Sequence, residues 1–333
     1  MSAPSYRRVI LVLVATLLGV FLASVFIGRY PEPYWMPIRV FQEDPLARQL
    51  VLRLRLPRLI TALLLGMVLS AAGSVLQMVF RNPLVEPGFL GVSQGAAFGA
   101  AISILWFTRH PLVIELSATL FGLLALAGAY FLSTRIRYGG WVLRLILSGV
   151  AVSALFSAGV GVLKYIADPL TELPELTFWL LGGLYSVTWL DLLYVLPFGL
   201  VGLAVVYAMR WRINLLSLND ETAFSLGASL GRERLVLLIC AVSATAALTA
   251  VSGIIGWIGL IVPHMARRLL GASGEKSIPA AILIGGVFSM IADDLARTLL
   301  PGEIPLGILT SAIGAVLFIY LMISVGIKVR QHV

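Results

Sequence analysis

Long apolar runs separated by short clusters of charge or proline recur ten times along this chain. A hydrocarbon core takes ~20 residues of helix to cross. Division at the polar clusters therefore predicts ten membrane spans, at 9–28, 59–80, 90–107, 112–132, 143–166, 190–209, 234–250, 253–268, 278–296 and 305–327. One stretch interrupts the rhythm. Arg81-Asn82-Pro83-Leu84-Val85-Glu86-Pro87-Gly88-Phe89-Leu90-Gly91 and the following residues to Ala96 place two prolines, an asparagine and a charge pair inside apolar sequence. Irregular backbone at membrane depth is tolerated where protein or a water-lined path satisfies its polar groups. Transporters keep functional parts at such breaks. The pattern alone leaves two readings open, a plain helix-to-helix loop or a working break.

Composition fixes the class. Of 333 residues, 59% are apolar and 12% charged, with a mean hydropathy of +0.99. Soluble domains carry roughly 25% charge, so the chain reads as an all-α polytopic membrane protein forming one domain over 1–333. The polar gaps leave no room for a sizeable soluble domain. The first span is too long for a cleavable signal peptide, and Gly28-Arg29-Tyr30-Pro31 follows it in place of a small-residue cleavage site. A single cysteine, Cys240, excludes a disulfide framework and is expected to be a small buried thiol. Gly66 with Ser70, and Gly122 near Gly128, suit close helix packing.

The net charge of +8 is explained by topology, with no need for a nucleic-acid partner. With Arg7 and Arg8 on the cytoplasmic side, alternate counting puts fifteen basic residues inside and nine outside, among them Arg109, while Arg330 falls inside. Six of the nine lie between spans one and two: Arg29, Arg39, Arg48, Arg53, Arg55 and Arg58. Without that loop the bias is fifteen to three, a positive-inside signal that puts both termini in the cytoplasm. The exceptional loop fits bidentate recognition of carboxylates on an acidic protein partner. Lipid phosphates or neighbouring acidic side chains fit it as well.

Little in the sequence suggests covalent chemistry. His110, His264 and His332 have no ligand spacing, and His264 reads as a hydrogen-bonded structural residue. The nearest approach to a phosphate-binding loop, Gly271 to Ser277, puts Glu275 where the second glycine belongs. Glu115 and Asp191 sit near span ends, and Asp293-Asp294 toward the outer end of span nine. No central carboxylate relay appears, which weakens a proton-coupled secondary transporter, the alternative function considered.

The order of blocks along the chain resembles the FecCD/BtuC-like permease family, membrane subunits of type II ABC importers. The interrupted run 81–96 is preceded by Arg55-Leu56-Pro57-Arg58, then Gly66, Leu69-Ser70, Gly73 and Gln77. It is followed by Phe178-Trp179-Leu180-Leu181-Gly182-Gly183 and by Leu215-Leu216-Ser217-Leu218-Asn219-Asp220-Glu221-Thr222-Ala223 with Leu226-Gly227. Gly253 to His264, Asp293 to Arg297 and Glu303-Ile304-Pro305-Leu306-Gly307 complete the series. The resemblance covers nearly the whole chain.

It implies a BtuC-like fold of ten helices, a homodimer or pseudodimer with the path between subunits, two cytoplasmic ABC ATPases and an external substrate-binding protein. ATP and magnesium would reside on the ATPases, leaving this chain without a cofactor and not itself an enzyme. Cargo would be an iron–siderophore, haem or cobalamin, with some metal oxyanions in the family. The expected location is a bacterial or archaeal plasma (inner) membrane, in contact with lipid. By this resemblance Arg55, Arg58 and Arg297 dock the binding protein. Segment 214–231 is the ATPase coupling segment, with Leu215, Leu218, Asp220, Glu221, Ala223, Phe224, Leu226 and Gly227. Asn219-Asp220 can cap a short helix there and Gly227 can end it. Its leucines, Ala223 and Phe224 would be exposed unless covered. Ser148, Ser153 and Ser157 on span five would line the path. Val316 stands where the family often has proline, so a kink in the last span would be reduced.

Overall fold

The computed structural model describes residues 5–107 and 110–329. Arg109, Arg330 and His332, used in the readings above, lie outside these residues. The chain opens with α1 (Tyr6–Phe26), an antiparallel ribbon of β1 (Ile27–Gly28) and β2 (Tyr34–Trp35), and short helices α2 (Ile38–Glu43) and α3 (Pro45–Leu50). A π-type turn at Val51–Arg55 runs directly into α4 (Leu56–Val79). A 3₁₀ turn, Pro87–Leu90, precedes α5 (Val92–Ile102), which a second π-type turn extends to Phe107. Next come α6 (Pro111–Arg135), α7 (Trp141–Ile166), α8 (Glu172–Leu181) and α9 (Trp189–Ala208). The rest comprises α10 (Arg210–Leu216), α11 (Asp220–Ser225), α12 (Leu230–Ser252), α13 (Ile258–Leu270), α14 (Gly274–Thr298) and α15 (Leu306–Val329).

Ten of these helices, α1, α4, α5, α6, α7, α9, α12, α13, α14 and α15, fall on the ten expected spans. Among the described residues, seven helices are long and apolar enough to cross a bilayer. The expected span 253–268 is corrected: its helix begins at Ile258 and has 13 residues. Gly253 (φ 66°) and Trp257 (φ 73°) hold residues 253–257 out of the helix. At 1.5 Å per residue α13 covers only about 20 Å. The sequence also gave no sign of α8. Its end is tied in by the Gly183 N–H donating to the Ser252 carbonyl (2.8 Å) and the Gly307 N–H to the Gly182 carbonyl (3.3 Å). The start of α9 is better signposted. Thr188 and Asp191 form a reciprocal capping box, with the Thr188 N–H 2.7 Å from the Asp191 carboxylate.

Helix α4 is the centre of the packing. Nearly every side chain from Pro57 to Val79 is buried, against α9, α12, α13 and α14. Lipid is as apolar as leucine, so this association rests on close van der Waals contact, which small residues permit. A Cβ on Gly66 would lie 2.0 Å from the Gly285 carbonyl oxygen of α14, and one on Gly73 would lie 1.9 Å from that of Gly259 on α13. These are backbone-to-backbone contacts. Gly122 and Gly128 are looser, with nearest neighbours at 3.3 and 3.9 Å. The periphery differs: α1, α7 and α15 leave Leu11, Leu155, Val162, Val316 and Tyr320 exposed. Cys240 is half-buried on α12, correcting the expectation of an enclosed thiol. Helix α15 runs without a break past Val316.

Candidate functional site

Three polar sites lie along the length of α4. At its first turn, the Arg58 Nε donates to both Asp293 oxygens (2.9 and 3.1 Å), and Nη1 to both Glu303 oxygens (2.8 Å each). Arg297 is bound to Asp294 and donates to the Ser24 carbonyl at 2.7 Å, while the Ser24 hydroxyl donates to Asp294 at 2.5 Å. Arg55 reaches the carbonyls of Val25 and Tyr30, both at 3.3 Å. All three arginines are buried, at 7–9% exposure. Of the partners considered for the outer arginines, neighbouring acidic side chains are the ones Arg58 and Arg297 meet: α14 carries the carboxylates, and the fold closes over the pairs. The basic side chains that do face outward nearby are Arg29, Arg39, Arg48 and Arg53. A cavity of about 350 Å³ beside the cluster is lined by Arg55, Arg58, Arg297, Tyr185 and Glu303.

The opposite end of α4 meets segment 214–231. Arg81 donates to the Asn219 side chain (3.2 Å), to the Leu218 carbonyl and to Asp220 (2.7 Å). Arg234 donates to the same carboxylate at 2.7 Å and lies 4.8 Å from the Trp141 ring centroid. Hydrogen bonds from Arg234 come first; burial opposes them, and the charge of Arg234 with the hydrogen bond and charge of Arg81 then hold the Asp220 carboxyl below its ordinary value. Helix α11 begins at Asp220 with Asn219 at its N-cap position, but the Asn219 side chain serves Arg81 and makes no cap bond. Its end is a Schellman arrangement. Gly227 (φ 80°) donates to the Phe224 carbonyl at 2.9 Å, and Ala228 to that of Ala223 at 3.0 Å.

Exposure within this segment is selective. Ala223 and Leu216 are fully buried and Leu215 is partly buried, against the expectation of a uniformly apolar surface. Phe224 is 74% exposed, Leu226 56% and Leu218 39%, while Glu221 and Gly227 are also exposed. The chain covers one face of the segment and presents the other.

Between these ends, beside Leu69 near the middle of α4, lies a cavity of about 350 Å³. Ser153, Thr245, Thr249, Ser93, Gln94 and Glu86 give it polar walls. Ser157 is exposed on the same helix as Ser153. Ser148 is different: it is fully buried, its hydroxyl has no partner, and the next residue, Gly149, packs on the Phe89 carbonyl. As a lining residue Ser148 is therefore corrected to a packing residue. Glu86, one of the charge pair in the interrupted run, has no role assigned from sequence because its partner lies far along the chain. Its Oε2 accepts the Trp257 N–H at 3.3 Å. Nearby, Gln77 donates to the Leu260 carbonyl (3.0 Å) and accepts from Arg267, and His264 bonds the Leu260 carbonyl at 2.9 Å. Among the described residues, no three His, Cys, Asp or Glu side chains come together as a metal-binding group.

Charged clusters at both ends of a helical bundle, with a polar cavity between them and an apolar surface around it, define a membrane transport subunit. Known proteins agree. The model of the FecCD transport family matches residues 15–324. The chain is 37% identical to the molybdate import system permease protein MolB of Haemophilus influenzae, over 96% of each chain. It is 39% identical to the hemin transport system permease protein HmuU of Yersinia pestis, over 82% of each. A solved structure described as an inward-facing conformation of a metal-chelate type ABC transporter superposes with a TM-score of 0.88 at 37% identity, covering 96% of this chain and 99% of that one. This chain belongs to the FecCD transport family and is a permease of the ABC-importer type. Permeases of this class work with ATPase and binding-protein partners.

Proposed function

We propose that two copies of this chain form the membrane part of an ATP-driven importer in a bacterial or archaeal plasma membrane, with both termini cytoplasmic. The cargo is a metal chelate of the iron–siderophore, haem or cobalamin class. Support comes from the relatives, whose names include iron chelatin, hemin and cobalamin permeases. The unburied apolar faces of α7 and α15 favour a second copy across the path, with Ser153 and Ser157 toward it.

The carrying observation is the split of α11, with Ala223 fully buried and Phe224 and Leu226 exposed. Exposed Phe224 on α11 and Leu226 just after it, on a well-anchored segment, support a partner that covers this face. In this reading 214–231 seats in a cytoplasmic ATPase, which supplies the ATP and magnesium chemistry. On the outer side, Arg55, Arg58 and Arg297 form the base of the docking rim for a binding protein. Arg39, Arg48 and Arg53 carry the charge that steers encounter.

The test is reconstitution. The permease, its co-expressed ATPase and the binding protein in vesicles should take up the chelate that the binding protein retains, only with ATP. Uptake by this chain alone, driven by a pH gradient, would overturn the reading in favour of a proton-coupled carrier.

A further inference from the structure

Three non-glycine residues in the described chain have left-handed backbone: Tyr34, Arg81 (φ 52°) and Trp257 (φ 73°). Such conformations persist only where the surroundings over-determine them, and they gather at working parts. Two of the three are joined through one short segment. Arg81 opens the break after α4 and is held by Leu218, Asn219 and Asp220. Five residues on, Glu86 holds the Trp257 N–H.

The stretch between them is stiff. Pro83 and Pro87 fix two φ angles. The Asn82 side chain accepts the Leu84 N–H at 2.9 Å, and the Phe89 N–H returns to the Glu86 carbonyl at 3.1 Å. At the far end Trp257 is the N-cap of α13, its carbonyl accepting from Leu260 and Ile261 at 3.1 and 2.9 Å. Its ring meets Phe318 of α15 with centroids 6.2 Å apart, and its Cβ lies against Gly314.

We propose that residues 81–87 are a strut joining the ATPase-docking segment to the start of α13 and, through Trp257, to α15. Arg81 and Glu86 are its two positioning residues. Displacement of α11 pulls on Arg81; the proline-braced turn transmits it; Glu86 moves the Trp257 backbone, and the indole carries the motion to Phe318. The role of Glu86 is that of a hydrogen-bond acceptor at a fixed place, with its charge incidental. The proposal rests on 214–231 being the ATPase dock.

The test uses the assembled permease–ATPase complex in nanodiscs, with Mg-ATP as the probe and no cargo. Spin labels at Ile319→Cys on both copies, in a Cys240→Ser background, report the separation of the α15 helices with and without nucleotide. Glu86→Ala and Arg81→Ala should each lower the equilibrium constant of the ATP-driven shift about tenfold, while ATPase stays bound. The double variant should also lose about tenfold, since cutting one strut at either end is the same lesion. Glu86→Gln, which keeps the acceptor, should restore the wild-type shift.

A shift unchanged in Glu86→Ala, a hundredfold loss in the double variant, or failure of Glu86→Gln to rescue would each overturn the strut. If Glu86→Ala does not fold, the Arg81→Ala and Glu86→Gln results still decide. Absence of ATPase from the wild-type complex would overturn the dock itself, a result distinct from any of these.

Discussion

Arg58 and Glu303 stand 245 positions apart in the chain and share two hydrogen bonds of 2.8 Å, with Asp293 on the other edge of the same guanidinium. This fork fastens the first turn of α4 to the end of α14 and to the start of α15. Removing one partner of a buried pair costs about 3–5 kcal/mol; here Asp293 keeps Arg297 at 3.8 Å and the Glu303 side chain is 44% exposed, so the cost falls toward the lower end. Arg58→Ala should therefore lower the thermal midpoint in detergent sharply. Reversing Arg39, Arg48 and Arg53 together should leave the midpoint alone and weaken binding-protein affinity at low salt. A stable Arg58→Ala variant would refute the buried-pair account.

Gly66→Ala should prevent normal assembly of the bundle, since its methyl would meet the Gly285 carbonyl at 2.0 Å. Gly128→Ala, with nothing nearer than 3.9 Å, should be neutral within about 0.5 kcal/mol. Yield of monodisperse protein and its melting curve separate the two.

Phe224→Asp should abolish co-purification of the ATPase without moving the melting temperature, because the ring contributes nothing to the chain's own core. Ala223→Asp should instead unfold the segment, seen as faster amide exchange over 217–228.

The pH dependence of the same segment follows from Asp220. Its folded value is depressed, so its stabilising contribution is fully present above the unfolded carboxylate value, about 3.9. It is lost as pH falls through the lower folded value. The protection factor of the amides over 217–228, exchange divided by its intrinsic rate at each pH, should therefore be flat from pH 7 to pH 5 and fall only below about pH 4. Half of the Asp220 side chain is exposed, so the loss should be under about 1 kcal/mol. A transition near pH 6 would contradict the Arg81–Asp220–Arg234 arrangement.

Cysteines on α7 test the path. Ser157→Cys should react with a membrane-impermeant maleimide in the assembled dimer, and Ser148→Cys should not. Equal labelling would mean that Ser148 is not buried in the assembled dimer.

The helices were legible because their cause is local: apolar runs of membrane length bounded by charge. Helix α8 was not, because at 10 residues it is too short to register as an apolar run of membrane length, although Glu172, Pro174 and Glu175 are ordinary first-turn residues. The fates of Arg55, Arg58 and Arg297 were also hidden. Their type and position suggested outward recognition, whereas Asp293, Glu303 and the Val25 carbonyl reach Arg58 and Arg55 only through tertiary folding; the Asp294–Arg297 pair, three residues apart on α14, was the local part of the signal. The coupling segment was half legible. Gly227 does end the helix as expected, but which apolar residues face out depends on how the tertiary fold covers Leu216 and Ala223. Glu86 was missed for the reason it matters, since its partner Trp257 is 171 residues away.

The touching backbones of α4 and α14 carry a consequence for how a permease of this kind can change shape. Where Gly66 faces Gly285 the two backbones touch, with Ser70 and Ser289 packed around the contact, and such a contact resists sliding. They form a keel. Alternation between open and closed states then has to be hinged elsewhere, on the lightly held outer helices, while the keel keeps the distance between the two faces of the membrane constant.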